Sequence, residues 1–411
     1  MQIVASESKW LCGVLVAALY VSLFGCATPP ATPPTAPAPA PVVNAPTPVP
    51  VPPVVTTSAV TAPAVVVVPA SAPVVAEPVE HHIALILPLK SATFGKAAEV
   101  VQQGFMAAAA QQTNGLPVRV YPCNDEKSEV LALYQQAIKA GAVSVAGPLT
   151  RNGVVAMATL PNVEVPTLAL NVVDATRADQ LYFFGLPAEQ ESKQISQLAT
   201  KVGLLSATVV RTDTALSKRL AQSFSDNWQR SGGIALSEIV YTGDPTPLRL
   251  IPTDPGNMVF LAAEVDKARL LRPYISNLLP VYSTSQVFSG NANNLVNYDL
   301  AEVRFIDMPW VLQADHPAVM VYPRAATPLP QDMERLYALG IDAYRLLQIF
   351  YQHDTLNSLP LDGVTGKVSL NGHLLEREAM PAVLRQGVGI PHDGRPPAPP
   401  PPVVLEVNPK K

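Results

Sequence analysis

Residues 83–89, Ile-Ala-Leu-Ile-Leu-Pro-Leu, form an unbroken apolar run. A short run of this kind fits a strand buried on both faces. Ala97, Val100, Val101, Phe105 and Ala108 then recur at three- and four-residue steps and predict a helix over residues 95–112. A strand at 118–121 follows, then a helix at 129–140 with Val130, Leu133, Tyr134 and Ala137 on one face. A strand at 142–146 stops at Gly147-Pro148, and a short helix at 154–160 and a strand at 167–170 close this round. A second round repeats the alternation. Helices are expected at 189–202, 215–230, 267–275 and 333–350, and strands at 207–211, 234–241, 258–262, 281–284 and 303–306. Leu216, Leu220, Phe224 and Trp228 stand at strict four-residue steps and read as a core stripe. Residues 364–370 and 373–375 flank Asn371-Gly372, the favoured two-residue turn, and predict a hairpin. Strands that alternate with helices imply βαβ units, so the fold class is α/β: parallel sheets with helices on both faces. Two rounds imply two lobes, and a ligand cleft would lie where the carboxyl ends of their strands face one another.

Composition locates what lies outside this pattern. Of 411 residues 44 are Pro; 16 of them fall in residues 27–80 and 8 in residues 391–411. Residues 27–76 carry no Asp, Glu, Lys or Arg and consist almost wholly of Ala, Pro, Val and Thr. Pro removes backbone donors and fixes φ, which leaves polyproline II and coil. The expected organisation is a signal segment at 1–25, a Pro-rich tether at 26–80, a two-lobed domain at 81–390 and a Pro-rich tail at 391–411. Within the domain, lobe 1 is expected at 82–187 and 313–357 and lobe 2 at 188–312 and 358–390. A formal charge of −4 leaves no footprint for nucleic acid.

Lys9 precedes an uncharged stretch from Trp10 to Gly25. Sixteen helical residues span about 24 Å, short of the roughly 30 Å hydrocarbon core, so an export signal is expected rather than a membrane span. Leu23-Phe24-Gly25-Cys26 resembles a bacterial lipobox, which makes Cys26 the lipidation site. Ala27 follows, and the lack of Asp there resembles outer-membrane sorting. Removal of Cys12 with the signal would leave Cys123 without a partner, as a buried, inert thiol at a strand end.

Several stretches together resemble a known family. Residues 83–89 with Ser91, Phe94 and Gly95, then 145–149, 168–171 and 182–186, look like the type I periplasmic-binding-protein fold. Residues 281–286, Asp307-Met308-Pro309-Trp310 and 335–344 narrow the likeness to the LppC family of lipoproteins, penicillin-binding protein activators of the LpoA type. The resemblance covers residues 82–388 and carries an expectation. The chain would be lipid-anchored on the periplasmic face of a Gram-negative outer membrane. It would activate a class A penicillin-binding protein, a peptidoglycan synthase, by contact and without catalysis. Family members carry an N-terminal helical-repeat domain, where this chain has its tether.

Candidate chemistry is sparse. The six histidines form no His-Glu-x-x-His pattern, and no Cys-x-x-Cys, Gly-x-Ser-x-Gly or phosphate loop occurs, so neither an enzyme nor a metal or other cofactor is expected. A small-molecule cleft would be lined by Ser91 and Thr93 after the first strand, Leu149 and Thr150 after the third and Asn171 after the fourth. Tyr282, Ser283 and Thr284 would face them from lobe 2. In amino-acid receptors of this fold, hydroxyls at such places hold a carboxylate, which keeps open a second reading: a solute receptor for an amino acid, amide or peptidoglycan fragment. The same residue types also cap helices and close loops. Asp307 and Trp310 read as fixing a crossover between lobes.

Overall fold

The computed structural model describes residues 80–174 and 178–392. The expected signal segment, Cys26, nearly all of the tether and most of the Pro-rich tail lie outside the described residues. In lobe 1 the chain runs β1 (His82–Leu87), α1 (Gly95–Ala109), β2 (Val118–Pro122), α2 (Lys127–Lys139), β3 (Ala142–Ala146), α3 (Arg151–Ala158), β4 (Thr167–Ala169) and β5 (Leu181–Phe183). It crosses to lobe 2 for α4 (Ala188–Lys201), β6 (Ser206–Arg211), α5 (Ala215–Trp228), β7 (Ala235–Val240), α6 (Thr246–Arg249), β8 (Asn257–Ala262), α7 (Val265–Leu271), β9 (Val281–Tyr282), α8 (Asn294–Asn297) and β10 (Val303–Asp307). It then returns through α9 (Pro309–Leu312) to α10 (Pro317–Met320), α11 (Gln331–Tyr351), α12 (Thr355–Ser358), β11 (Leu361–Gly363), β12 (Gly366–Asn371) and β13 (Leu374–Glu378). A third crossing leads to β14 (Met380–Arg385) and β15 (Val388–Pro391) in lobe 2.

Each lobe is built on one sheet. Among the described residues the first has the order β11-β12-β13-β5-β4-β3-β1-β2 and the second β15-β14-β10-β9-β8-β6-β7. The strands from β1 to β5 and from β6 to β10 pair in parallel; β12 with its neighbours, and β14 with its neighbours, pair antiparallel. The apolar run of β1 is buried along its whole length because helices cover both faces. Ile83, Leu85 and Leu87 pack with Val101 and Phe105 of α1 and Tyr344 and Leu347 of α11. Ala84 and Ile86 point the other way, to Val130 and Tyr134 of α2 and Val154 and Met157 of α3. In lobe 2 the four-residue stripe of α5 buries Leu220, Phe224 and Trp228 against Met258 and Phe260 of β8.

Two glycines set how closely α1 and α11 approach. A Cβ on Gly104 would strike the carbonyl of Tyr337, and one on Gly340 would strike the carbonyl of Val101 and the amide of Phe105. The helices therefore meet backbone to backbone.

The structure corrects the lobe boundaries. Residues 361–378, expected in lobe 2, belong to the first sheet, where β13 pairs in parallel with β5 through Leu374 and Phe183. The reason lies in α11: Asp342 accepts from the Val364 and Thr365 amides at 3.1 and 2.8 Å, which ties the hairpin to lobe 1. The hairpin itself is present, with its turn one residue later than expected. Asn371 pairs with Leu374, so Gly372 and His373 form the loop, with φ of 60° at Gly372.

Candidate functional site

The loops at the strand ends of lobe 1 bring some of the expected residues together. Asn171 Nδ2 donates to the Leu149 carbonyl at 3.0 Å, which joins the loops after β3 and β4. Thr150 caps α3, accepting from the Gly153 amide at 3.3 Å, and its hydroxyl donates to Asp125 after β2. Burial holds the Asp125 carboxyl above the ordinary carboxylate range, against a smaller downward pull from Asn152. Ser91 Oγ accepts from the Phe94 amide at 3.2 Å and closes the turn into α1, while Thr93 is exposed. Here the hydroxyls are spent on capping.

The lobe 2 residues do not face an open cleft. Tyr282, Ser283 and Thr284 are all 0% exposed. Tyr282 ends β9, an inner strand between β8 and β10, and packs into the core with Phe224 and Phe260; Ser283 and Thr284 follow it. Ser283 donates its hydroxyl to the Leu261 carbonyl at 2.6 Å, and Arg304 lies over the Tyr282 ring at 5.8 Å.

The densest polar chemistry lies where the three crossings run together. Asp307 ends β10 and is 1% exposed; Arg335 of α11 donates to it from Nη2 at 2.7 Å and from Nε at 3.2 and 3.3 Å. Nη1 of Arg335 reaches Asp332 at 2.7 Å, and Nη2 also reaches the carbonyls of Ser285 and Phe288 at 3.0 and 3.2 Å. Burial works against the charge on Arg335, but Asp307 beside it, with Glu191 and Asp332, outweighs burial and raises its pKa above the ordinary guanidinium value. One side chain thus holds α11 of lobe 1 to the ends of β9 and β10 of lobe 2. A second pair spans the lobes in the other direction: Glu191 of α4 accepts from Arg377 of β13 at 2.8 Å and from the Ser285 amide at 2.9 Å. Gln194 of α4 clamps the third crossing, donating to the Ala379 carbonyl at 2.7 Å and accepting from its amide at 2.9 Å.

Trp310 fixes the second crossing, as the sequence suggests. Its ring stacks on Tyr337 at 5.4 Å and lies under Arg324 at 3.8 Å, and Nε1 donates to Glu334 at 2.7 Å. Sequence reasoning missed Arg335, Asp342, Glu191 and Arg377 as a connected set. A signal did exist for two of them: Arg335, Leu339, Asp342 and Leu346 share one helical phase at steps of four, three and four. Two charges on an apolar stripe must find partners inside the fold.

The family model described as "LppC putative lipoprotein" matches residues 76–251 and 253–385. The chain belongs to the LppC family. Among curated relatives, "Penicillin-binding protein activator LpoA" of Aliivibrio fischeri is 24% identical over 334 residues, covering 71% of this chain. The alignment takes in 54% of that relative, so the chain spans about half the length of the LpoA proteins it matches. A solved structure titled as a "putative branched-chain amino acid ABC transporter" from Chromobacterium violaceum is 37% identical, with a TM-score of 0.67 over 74% of this chain and 99% of that one. The C-domain of LpoA from Haemophilus influenzae gives a TM-score of 0.63 at 22% identity, over 76% of this chain and 99% of the domain. Both chains share with this LppC protein the two-lobed type I periplasmic-binding-protein fold.

Proposed function

We propose that this LppC protein is a lipid-anchored regulator on the periplasmic face of the outer membrane. It activates a class A penicillin-binding protein by direct contact and performs no catalysis of its own. The observation that carries the reading is the family match, which runs through nearly the whole two-lobed domain and whose curated relatives bear the activator's name. The geometry supports it. The polar groups at the hinge are consumed in holding the lobes to each other, so their design is that of a rigid body presented to a partner. Cys26 supplies the anchor and residues 27–80 the reach: about 3.1 Å per residue when extended gives at most roughly 170 Å. The test is to mix the purified chain with a class A synthase from the same cell and measure binding and cross-linking. Stimulated cross-linking is expected. Absence of binding and of stimulation with every such synthase of that cell overturns the proposal.

A solute receptor is the second reading, favoured by the name of the Chromobacterium violaceum relative. Asp125 speaks against an amino-acid ligand. It occupies the hydroxyl of Thr150, where a bound carboxylate would have to sit, and two carboxylates in one place repel. A thermal-shift screen against amino acids, amides and muropeptides is expected to stay flat. A one-site ligand at 100 times its Kd would add about 2.7 kcal/mol, enough to see.

A further inference from the structure

Among the described residues four strands stand at a sheet edge: β11 and β2 in lobe 1, β15 and β7 in lobe 2. An open edge presents unpaired N–H and C=O groups and invites another strand, so folded proteins block it. Three of the four edges are blocked. β11 is three residues long, and Arg345 occupies its Asp362 carbonyl at 3.0 Å. β2 ends in Pro122, which has no amide and faces away from β1, since its neighbour Cys123 is the one that donates to Leu87. β15 turns Gly389 and Pro391 outward; Asn291 takes the Gly389 amide at 2.9 Å, and Pro391 has none to offer.

β7 carries no such block. It is six residues long, without Pro or Lys, and pairs along its whole length with β6. Ala235 and Tyr241 donate to Leu205 and Arg211 on that side, so the alternation turns the amides and carbonyls of Leu236, Glu238 and Val240 to the free side. There they find no partner among the described residues. Within the strand only Ile239 is partly buried, and Ile234 just before it is 74% exposed.

The residue order says what fits this edge. An antiparallel neighbour must set its outward groups against the outward groups of β7. For two copies of β7, two central registers do so. One puts Glu238 directly opposite Glu238, and like charges so placed repel. The other sets Ser237 opposite Ser237, Leu236 opposite Glu238, Ala235 opposite Ile239 and Ile234 opposite Val240. Exposed apolar residues then meet apolar ones, and Leu236 lies on the stem of Glu238, whose carboxylate Arg211 holds at 2.8 Å.

We propose that β7 is a self-association edge: two copies of this chain pair β7 to β7, antiparallel about Ser237, and join their lobe 2 sheets into one of fourteen strands, seven from each copy. The inference is independent of the activator reading. The test is sedimentation of the full chain from dilute to concentrated solution. A concentration-dependent dimer is expected. Leu236→Glu, which sets two carboxylates face to face, should weaken it by about ten-fold or more while leaving the Tm of the monomer unchanged. Leu236→Lys faces the same carboxylate with the opposite sign and should hold the dimer as the wild type does. Ser237→Cys reads the register: such a pair has Cα atoms about 4.5 Å apart, within disulfide reach, so mild oxidation should link two copies beyond what the wild type's own cysteines give. A wild type that stays monomeric at every concentration overturns the proposal and leaves the edge to some other strand. So does a dimer that Leu236→Glu leaves intact, an equal loss with Leu236→Lys, or a Ser237→Cys variant that links no more than the wild type.

Discussion

Arg335 serves four partners from a site that is 6% exposed, and its loss would leave Asp307 as an uncompensated buried charge. Breaking a buried pair by removing one partner costs about 3–5 kcal/mol. Arg335→Ala is therefore expected to lower the unfolding free energy by about that amount in a urea titration. Arg335→Met combined with Asp307→Leu should cost less than Arg335→Ala alone, because no lone charge remains. A double variant as unstable as the single one would contradict the pairing. Cys123 gives a prediction in pH. Burial, reinforced by Glu129, pushes its thiol up to about 11. The folded state thus holds its proton longer than the unfolded chain, whose thiols ionise near pH 8.5. The contribution is fully present below about pH 8.5 and is lost as pH rises through 11. Urea titrations at pH 8 and 10.5 should show a smaller fall for Cys123→Ala than for the wild type. The buried thiol was legible because Val118, Val120 and Tyr121 mark the strand that precedes it. The hinge pairs were less so: a single sequence shows a charge on an apolar stripe without showing which distant carboxylate meets it.

At the scale of elements, the contact of α1 with α11 depends on two absent side chains. Gly340→Ala gains about 1 kcal/mol of helix propensity, yet drives a methyl into the Val101 carbonyl. A net loss of about 1–3 kcal/mol is expected, seen as a lowered Tm, and a stabilised variant would show that the helices can part at no cost. Periodicity found the long helices and the central strands because each carries its own repeat of 3.6 or 2. It missed β14 and β15, whose sign is a turn: Gln386 and Gly387, with φ of 50° and 76°, join them as a two-residue loop. It also placed the β12–β13 hairpin in the wrong lobe. Strand pattern fixes which residues face a core, and the choice of sheet is made by a partner such as Phe183, nearly two hundred positions away.

For the whole molecule, two lobes could be read from the repeated alternation, but the cleft between them could not. Tyr282, Ser283 and Thr284 stand at a strand end just as Leu149 and Thr150 do; what separates them is that Glu191 of α4 and Arg335 of α11 close on Ser285 directly after them. The proposed anchor makes its own prediction: Cys26→Ser should move the protein from the membrane to the soluble fraction, as read by fractionation. Retention on the membrane would remove Cys26 as the lipid site.

The three crossings bear on the order in which the molecule can come into being. Lobe 1 holds residues 82–183 together with 331–378, and lobe 2 holds residues 188–307 together with 380–391. A chain that emerges from the ribosome amino end first presents β1 long before α11, the helix that covers it. Until residue 351 is made, Ile83, Leu85 and Leu87 lack the cover of α11, and the first lobe must wait open while most of the second is made. Such a nascent chain keeps one apolar face of β1 incompletely covered for most of its synthesis. That is a hazard in a crowded cytosol, and an aid to any protein that has to be threaded through a narrow channel before it folds.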